Sequence, residues 1–179
     1  FEFLAAISQG GAGKVYLARR VDTDDVFAIK AMLKDDIRAM HMEKRVQRER
    51  QIMSATRRCP FVVQLYAACT NRDYLFLVME YVQGGDCYSM LHNVRRLNES
   101  ATRIYLAELV MALEYLHFHD IIHRDLKPDN ILITNTGHIK LMDFGLASCI
   151  APEAHVGVSE DQNSTSNSSA SQSRLTYSF

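Results

Sequence analysis

Apolar and polar positions take turns along the first third of the chain in the manner of strands. FEFLAAI (1–7) and KVYLARR (14–20) flank a glycine-rich turn, and VFAIKAM (26–32) follows the turn VDTDD, so an antiparallel meander is expected. From Met42 to Ser54 the spacing becomes helical, with Val46, Ile52 and Met53 on the inward stripe. FVVQLYAAC (61–69) and YLFLVMEYV (74–82), divided by the turn TNRD, add two more strands. Beyond QGGD the character changes. ESATRIYLAELVMALEYLHFH (99–119) reads as a long amphipathic helix capped by Asn98, with Ile104, Leu109, Leu113 and Leu116 along one stripe. The pattern predicts an α+β chain, with five strands and a helix in a small lobe over 1–81 and a helical second lobe from 82 to about 151. Past Ile150 the periodicity stops. SEDQNSTSNSSASQS has almost nothing to bury, and residues 152–179 are expected to be disordered.

Composition narrows the class. A formal net charge of -1 gives no global pull toward nucleic acid, and the basic clusters EKRVQRERQ and TRR read as solvated helix faces. No apolar run is long enough to span a membrane. Cys59, Cys69, Cys87 and Cys149 form neither a C-x-x-C nor a zinc spacing, and no hydrophobic leader precedes Phe1. The expected compartment is therefore reducing and intracellular, and inert thiols are the ordinary reading of these cysteines.

The glycine-rich turn ISQGGAGKV is the first candidate for chemistry. Val15 follows Lys14 where a Walker A loop needs Ser or Thr, and a strand follows where a dinucleotide fingerprint needs a helix. What remains is a strand-turn-strand flap whose Gly10 and Gly13 let backbone N–H groups lie close over an anion. Taken alone it is also an ordinary hairpin. In VFAIKAM, period two puts Val26, Ala28 and Lys30 on one face and Phe27, Ile29 and Ala31 on the other. Glu49 falls inside the apolar stripe of the helix, where an unpaired carboxylate would be costly, so it needs a cationic partner. Lys30 is the obvious one, for chemistry or for structure alone.

IIHRDLKPDNILI followed by HIKLMDFG is similar, residue for residue, to the catalytic and magnesium loops of protein kinases. Lys30, Glu49, Asn130 and Asp143 stand in the family's order. HMEKRVQRERQIM and VMEYVQGGDCYSML resemble the AGC group, and ISQGGAGKVYLARR, with Ser8 in place of the first glycine, resembles its microtubule-associated Ser/Thr kinase and Greatwall branch. The resemblance covers Phe1 to about Ala151. It implies a two-lobe protein-kinase-like fold, with a five-stranded antiparallel small lobe, the helix called αC in the family, and an incomplete helical large lobe.

The resemblance also implies an ATP- and magnesium-dependent transfer to Ser or Thr of a protein substrate, with no nucleic-acid or membrane partner. Lys30, held by Glu49, would grip the α and β phosphates, and Asn130 and Asp143 would hold the metal. Asp125 would take the hydroxyl proton and Lys127 would neutralise the γ-phosphate. Ile7, Ser8, Gly10, Gly11 and Gly13 would roof the phosphates. Met79 would be the gatekeeper, Glu80 and Val82 would offer backbone groups to adenine, and Val15, Ala28 and Leu132 would sandwich the ring. Asp86 would meet the ribose. Met53, Leu65, His123 and Phe144 match the stack that joins the lobes. Arg124 would receive a phosphate on the activation segment, which implies an upstream kinase.

The same stretch also holds Ala151-Pro152-Glu153, which mimics a motif that closes the activation segment. Only five residues separate it from Gly145, reaching roughly 17 Å when extended. An activation segment cannot leave the metal site and return in that span, so the triplet is read as coincidence and the chain as stopping inside its activation segment. RLTYSF (174–179) faintly resembles the AGC hydrophobic motif but has Arg174 in place of the first Phe. Intact phosphate, metal and base positions favour an active enzyme. Ser8, and Ala12 at the usual aromatic flap tip, keep a pseudokinase-like nucleotide-binding scaffold or inactive fragment as the alternative.

Overall fold

The computed structural model describes residues 1–10 and 13–150. Gly11, Ala12, the Ala151–Glu153 triplet, RLTYSF and the expected disorder of 152–179 lie outside the described residues.

Five strands form one antiparallel sheet in the order β1-β2-β3-β5-β4: β1 (Glu2–Gly10), β2 (Gly13–Arg19), β3 (Val26–Leu33), β4 (Leu65–Thr70) and β5 (Tyr74–Glu80). Alternation sorts β3 as expected. Ala28 and Met32 face the main core, and Ile29 packs on the opposite face with Ala18 and Val78. Against the main-core face lies α2 (Glu43–Ala55), burying Val46, Glu49, Ile52 and Met53. That spacing is one helical stripe, so burial of this face rather than helix propensity holds α2 in place.

Two helices escape the periodicity. The six residues of α1 (Lys34–Ala39) are too few for a period to show. The second, α3 (Cys87–Val94), is declared by its cap, since Asp86 accepts a hydrogen bond from the Ser89 backbone N–H at 2.7 Å. The fourth strand is shorter than expected. Residues 61–63 leave the sheet because their backbone is engaged below it: Leu141 N–H donates to Phe61 and Val63 N–H donates to Leu141, at 2.8 and 2.9 Å.

The second lobe is built on α4 (Glu99–Phe118), where Asn98 accepts from the Ala101 N–H at 2.8 Å, the cap the sequence suggests. The buried stripe is Glu108, Ala112 and Leu116, with Leu109 and Leu113 packed beside it. Ile104 departs from the expected burial and is 54% exposed, and Leu106, Val110, Met111 and Phe118 are exposed as well. Glu108, one turn after Ile104, is tolerated inside because its carboxylate accepts from His138 Nδ1 and from the Ile139 N–H at 2.8 Å. Helix α4 thereby supports the hairpin of β7 (Ile131–Ile133) with β8 (Ile139–Leu141), and it also packs on β6 (Ile121–Ile122), which pairs with the distant β9 (Ser148–Cys149). Among the described residues no helix is long and apolar enough to cross a membrane.

Candidate active site between the sheet and the short hairpins

The sheet supplies one wall. Lys30 on β3 and Glu49 on α2 form an ion pair at 2.7 Å, with side chains 13% and 4% exposed. Strand alternation turns Lys30 toward α2, and the helical stripe turns Glu49 toward β3, so two regular periods place opposite charges at one point. Nearby, Ala28 pairs with Met79 across β3 and β5. Ala28, Met79 and Val82 are buried in the main core, and Val15 and Leu132 pack against it. The residues expected to sandwich adenine thus border one continuous apolar cluster. The β1–β2 hairpin overhangs them, with Ser8 opposite Val15 and Gly10 opposite Gly13. Ile7, Ser8 and Gly10 are exposed. Gly13 has a φ of 126° and abuts β3, so any Cβ there would run into the Ala31 carbonyl.

The second wall is irregular backbone. Between β6 and β7, Arg124 sits in the left-handed region at φ 63°, and between β8 and β9 Asp143 does so at φ 60°. Each such residue stores on the order of 1 kcal/mol, repaid by the contacts that enforce it. His123 supplies some of them: its Nε2 lies 3.0 Å from the Met142 carbonyl and its ring packs on Phe144 with centroids 5.0 Å apart. Met53, Leu65, His123 and Phe144, drawn from four separate elements, are all 5% exposed or less.

Within this wall Asp125 is the focus. Its Oδ2 accepts from Lys127 Nζ and from Asn130 Nδ2, both at 2.9 Å. The Lys127 hydrogen bond, reinforced by that of Asn130, holds the Asp125 carboxyl below the usual carboxylate range, and the same contact raises Lys127. Asn130, 4% exposed, also donates to the Asp125 carbonyl at 2.8 Å. With its amide nitrogen spent on Asp125, its Oδ1 remains an acceptor. Asp143 accepts from the Gly145 N–H at 3.2 Å through Oδ1.

Asn130 and Asp143 fit a magnesium ion that shares its coordination with phosphates and water, since Mg²⁺ takes few protein ligands. No trio of His, Cys, Asp or Glu gathers elsewhere among the described residues to compete for a metal. Asp86, expected at the ribose, has both carboxylate oxygens on Ser89 as the α3 cap, so in this structure it serves the helix. Glu80 presents its carboxylate to Lys140 and spends its backbone N–H on the Gln64 carbonyl.

Three contacts were not legible in the sequence. Arg45 on α2 lies against Gly145, where a Cβ would come within 2.8 Å of its Nε. Arg124 Nε donates to the Leu146 carbonyl at 2.7 Å, tying the residues after Asp143 to the loop that holds Asp125. The third is the Lys140–Glu80 pair at 2.9 Å. Each joins segments far apart in sequence, and only a charge at an inward position of a short strand hinted at the last.

The protein kinase domain family matches residues 1–170. Over 147 residues, 82% of this chain, it is 48% identical to "Probable serine/threonine-protein kinase pkgA" of Dictyostelium discoideum and 54% identical to "Probable serine/threonine protein kinase IRE4" of Arabidopsis thaliana. Over the same length it is 48% identical to "Serine/threonine-protein kinase greatwall" of Xenopus laevis. The matched segment is 11%, 14% and 16% of those three proteins.

Proposed function

The chain belongs to the protein kinase domain family, and we propose that it carries the nucleotide and catalytic loops of an ATP- and magnesium-dependent protein serine/threonine kinase. The observation that carries this reading is that α2, which holds Glu49 on Lys30, packs against Phe144–Leu146 directly after Asp143, while the Met142 N–H before it donates to the Asn130 carbonyl. Lys30 is fixed by Glu49 on the sheet side, and Asp125, Asn130 and Asp143 are gathered on the other.

Phosphoryl transfer asks for positioning and for neutralisation of charge on the phosphate oxygens. Lys30 would bind the α and β phosphates in an orientation its pairing with Glu49 already enforces. Asn130 and Asp143 would hold magnesium, which would neutralise charge on the phosphates. Gly10 and Gly13 leave room for backbone N–H groups above them. Asp125 would orient the Ser or Thr hydroxyl and take its proton as that oxygen attacks phosphorus, and a carboxyl held low by Lys127 is ionised and ready at neutral pH. Lys127 would offset charge at the transferred group.

Lysine two residues after the catalytic aspartate resembles Ser/Thr rather than tyrosine kinases. An upstream kinase acting near Arg124 and an intracellular setting, cytoplasmic or nuclear, belong to the same proposal. A nucleotide-binding scaffold without transfer is the second reading, favoured by Ser8 where the family's roof has glycine.

The test is a thermal-shift titration with ATP, with and without magnesium, of the wild type, Lys30→Met and Asp143→Ala. Stabilisation of about 2.7 kcal/mol is expected at a hundredfold excess over Kd, requiring magnesium and absent in both variants. A cooperative melt that nucleotide leaves unmoved would overturn the reading.

A further inference from the structure

Among the described residues, a single ion pair joins the sheet to the β7–β8 hairpin: Lys140 Nζ to Glu80 Oε2 at 2.9 Å, with side chains 12% and 25% exposed. The position is unusual in what it connects. Glu80 ends β5 and begins the hinge segment that leads to Val82. Lys140 lies in the middle of β8, three residues before Asp143.

The pair is built into a frame. The Glu80 N–H donates to the Gln64 carbonyl at 2.9 Å, and the Gln64 N–H approaches the same Glu80 oxygen at 3.3 Å. One residue beyond Lys140, Leu141 exchanges backbone hydrogen bonds with Phe61 and Val63. Met142 N–H then donates to the Asn130 carbonyl at 3.0 Å. From hinge to metal aspartate the chain of contacts therefore runs Glu80, Lys140, Leu141, Met142, Asp143, with no glycine to loosen it. Cys59, buried beside the Lys140 charge, has its thiol pushed up by burial and stays neutral, so Glu80 is the anion that answers Lys140.

A largely desolvated pair of this kind contributes little net stability compared with two apolar residues of the same volume, and its distinctive effect is to define one geometry. We propose that the Lys140–Glu80 pair is a positioning element that couples occupation of the hinge to metal binding at Asp143. It fixes the β8 strand relative to the hinge, so that a nucleotide seated at Glu80–Val82 meets Asp143 at the spacing that a shared magnesium requires. This rests on the nucleotide-site reading above. Lys140 touches neither nucleotide nor substrate and acts through the strand. Because Leu141 keeps its own backbone bonds to Phe61 and Val63, loss of the pair loosens β8 without releasing it.

Calorimetric titration of the 179-residue chain with adenosine, with ATP in chelator and with ATP plus magnesium separates the two ends of the site. The quantity read is the gain in ATP affinity on adding magnesium. For Lys140→Met, adenosine affinity is expected to stay within about twofold, while the magnesium gain falls by about tenfold, the ordinary size of a coupling between sites. The exchanged pair Glu80→Lys with Lys140→Glu is expected to recover most of that gain. A variant that melts earlier yet keeps the full magnesium gain would show a merely structural pair and overturn the proposal, as would an equal loss of adenosine and Mg-ATP affinity.

If Lys140→Met shows no cooperative melt, the conservative Lys140→Arg and Glu80→Gln decide. Arg retaining and Gln losing the gain supports the coupling, and both retaining it overturns the coupling. A folded wild type that binds neither adenosine nor ATP overturns the nucleotide-site reading itself, and the coupling falls with it.

Discussion

The cleft contains two lysine–carboxylate pairs of nearly equal length and opposite setting. Lys30–Glu49 at 2.7 Å is buried between a strand and a helix, whereas Lys127–Asp125 at 2.9 Å stands half in solvent on a loop without regular structure. The first is held by packing on all sides and the second by hydrogen bonds from its own neighbours, Asn130 above all. Charge in a dry setting locks geometry at a cost in desolvation, and charge in a wet setting tunes a protonation state at little cost to the fold. A gripping residue benefits from the first arrangement and a proton acceptor from the second.

The sharpest way to break that division is to remove what lies under both pairs. Phe144 is fully buried, its ring packs at a tilt against His123, and the turn it begins packs on α2. Phe144→Ala is expected to cost about 3–5 kcal/mol in denaturant unfolding. A loss below about 1 kcal/mol would mean that the wet wall stands without the core. Next, Glu49→Ala leaves Lys30 as a buried charge without its partner, and a loss of about 3 kcal/mol is expected. An unchanged midpoint would place this pair in the same class as the exposed one. A smaller effect bounds the contrast from outside the cleft: Asn98→Ala removes the α4 cap, with about 1 kcal/mol expected by the same measurement.

The least effect on the fold, and the most specific on chemistry, is expected of Lys127→Ala. Because Lys127 stabilises the ionised form, Asp125 remains a carboxylate as pH falls through the range in which free aspartate protonates. Removing Lys127 moves that protonation upward. Carbon-13 NMR titration of Asp125 should show the midpoint rising in the variant while the melting curve stays in place. A midpoint that does not move would assign the lowering to Asn130 instead.

The same contrast explains which parts of the cleft are legible in the sequence. Period two in VFAIKAM and the stripe around Glu49 predict the Lys30–Glu49 contact from spacing alone, because regular elements convert sequence position into direction. Asp125, Asn130 and Asp143 have no such periodicity. Left-handed turns at Arg124 and Asp143 set where they point, and only likeness to a known motif marks them. Ile104, one turn before Glu108 on the same side of α4, is exposed all the same: periodicity marks a face and not how far along the helix that face is covered, and the bonds of Glu108 with His138 and Ile139 show where covering begins. Asp86 shows the remaining limit, since a carboxylate free to meet a sugar and one capping a helix look alike in sequence.

The roof of the cleft carries a consequence for timing. All nine residues of β1 are exposed, and the strand pairs only with β2, at the sheet's edge. With no buried side chain to withdraw from the core, parting this leaf breaks one ladder of hydrogen bonds, the Glu2–Arg19 ion pair and the Phe3–Tyr16 contact, whereas parting β3 from β5 breaches the core. Opening at this edge is therefore expected to cost less than opening along the β3–β5 seam. The outer leaf can part while Lys30 and Glu49 stay packed beneath the sheet.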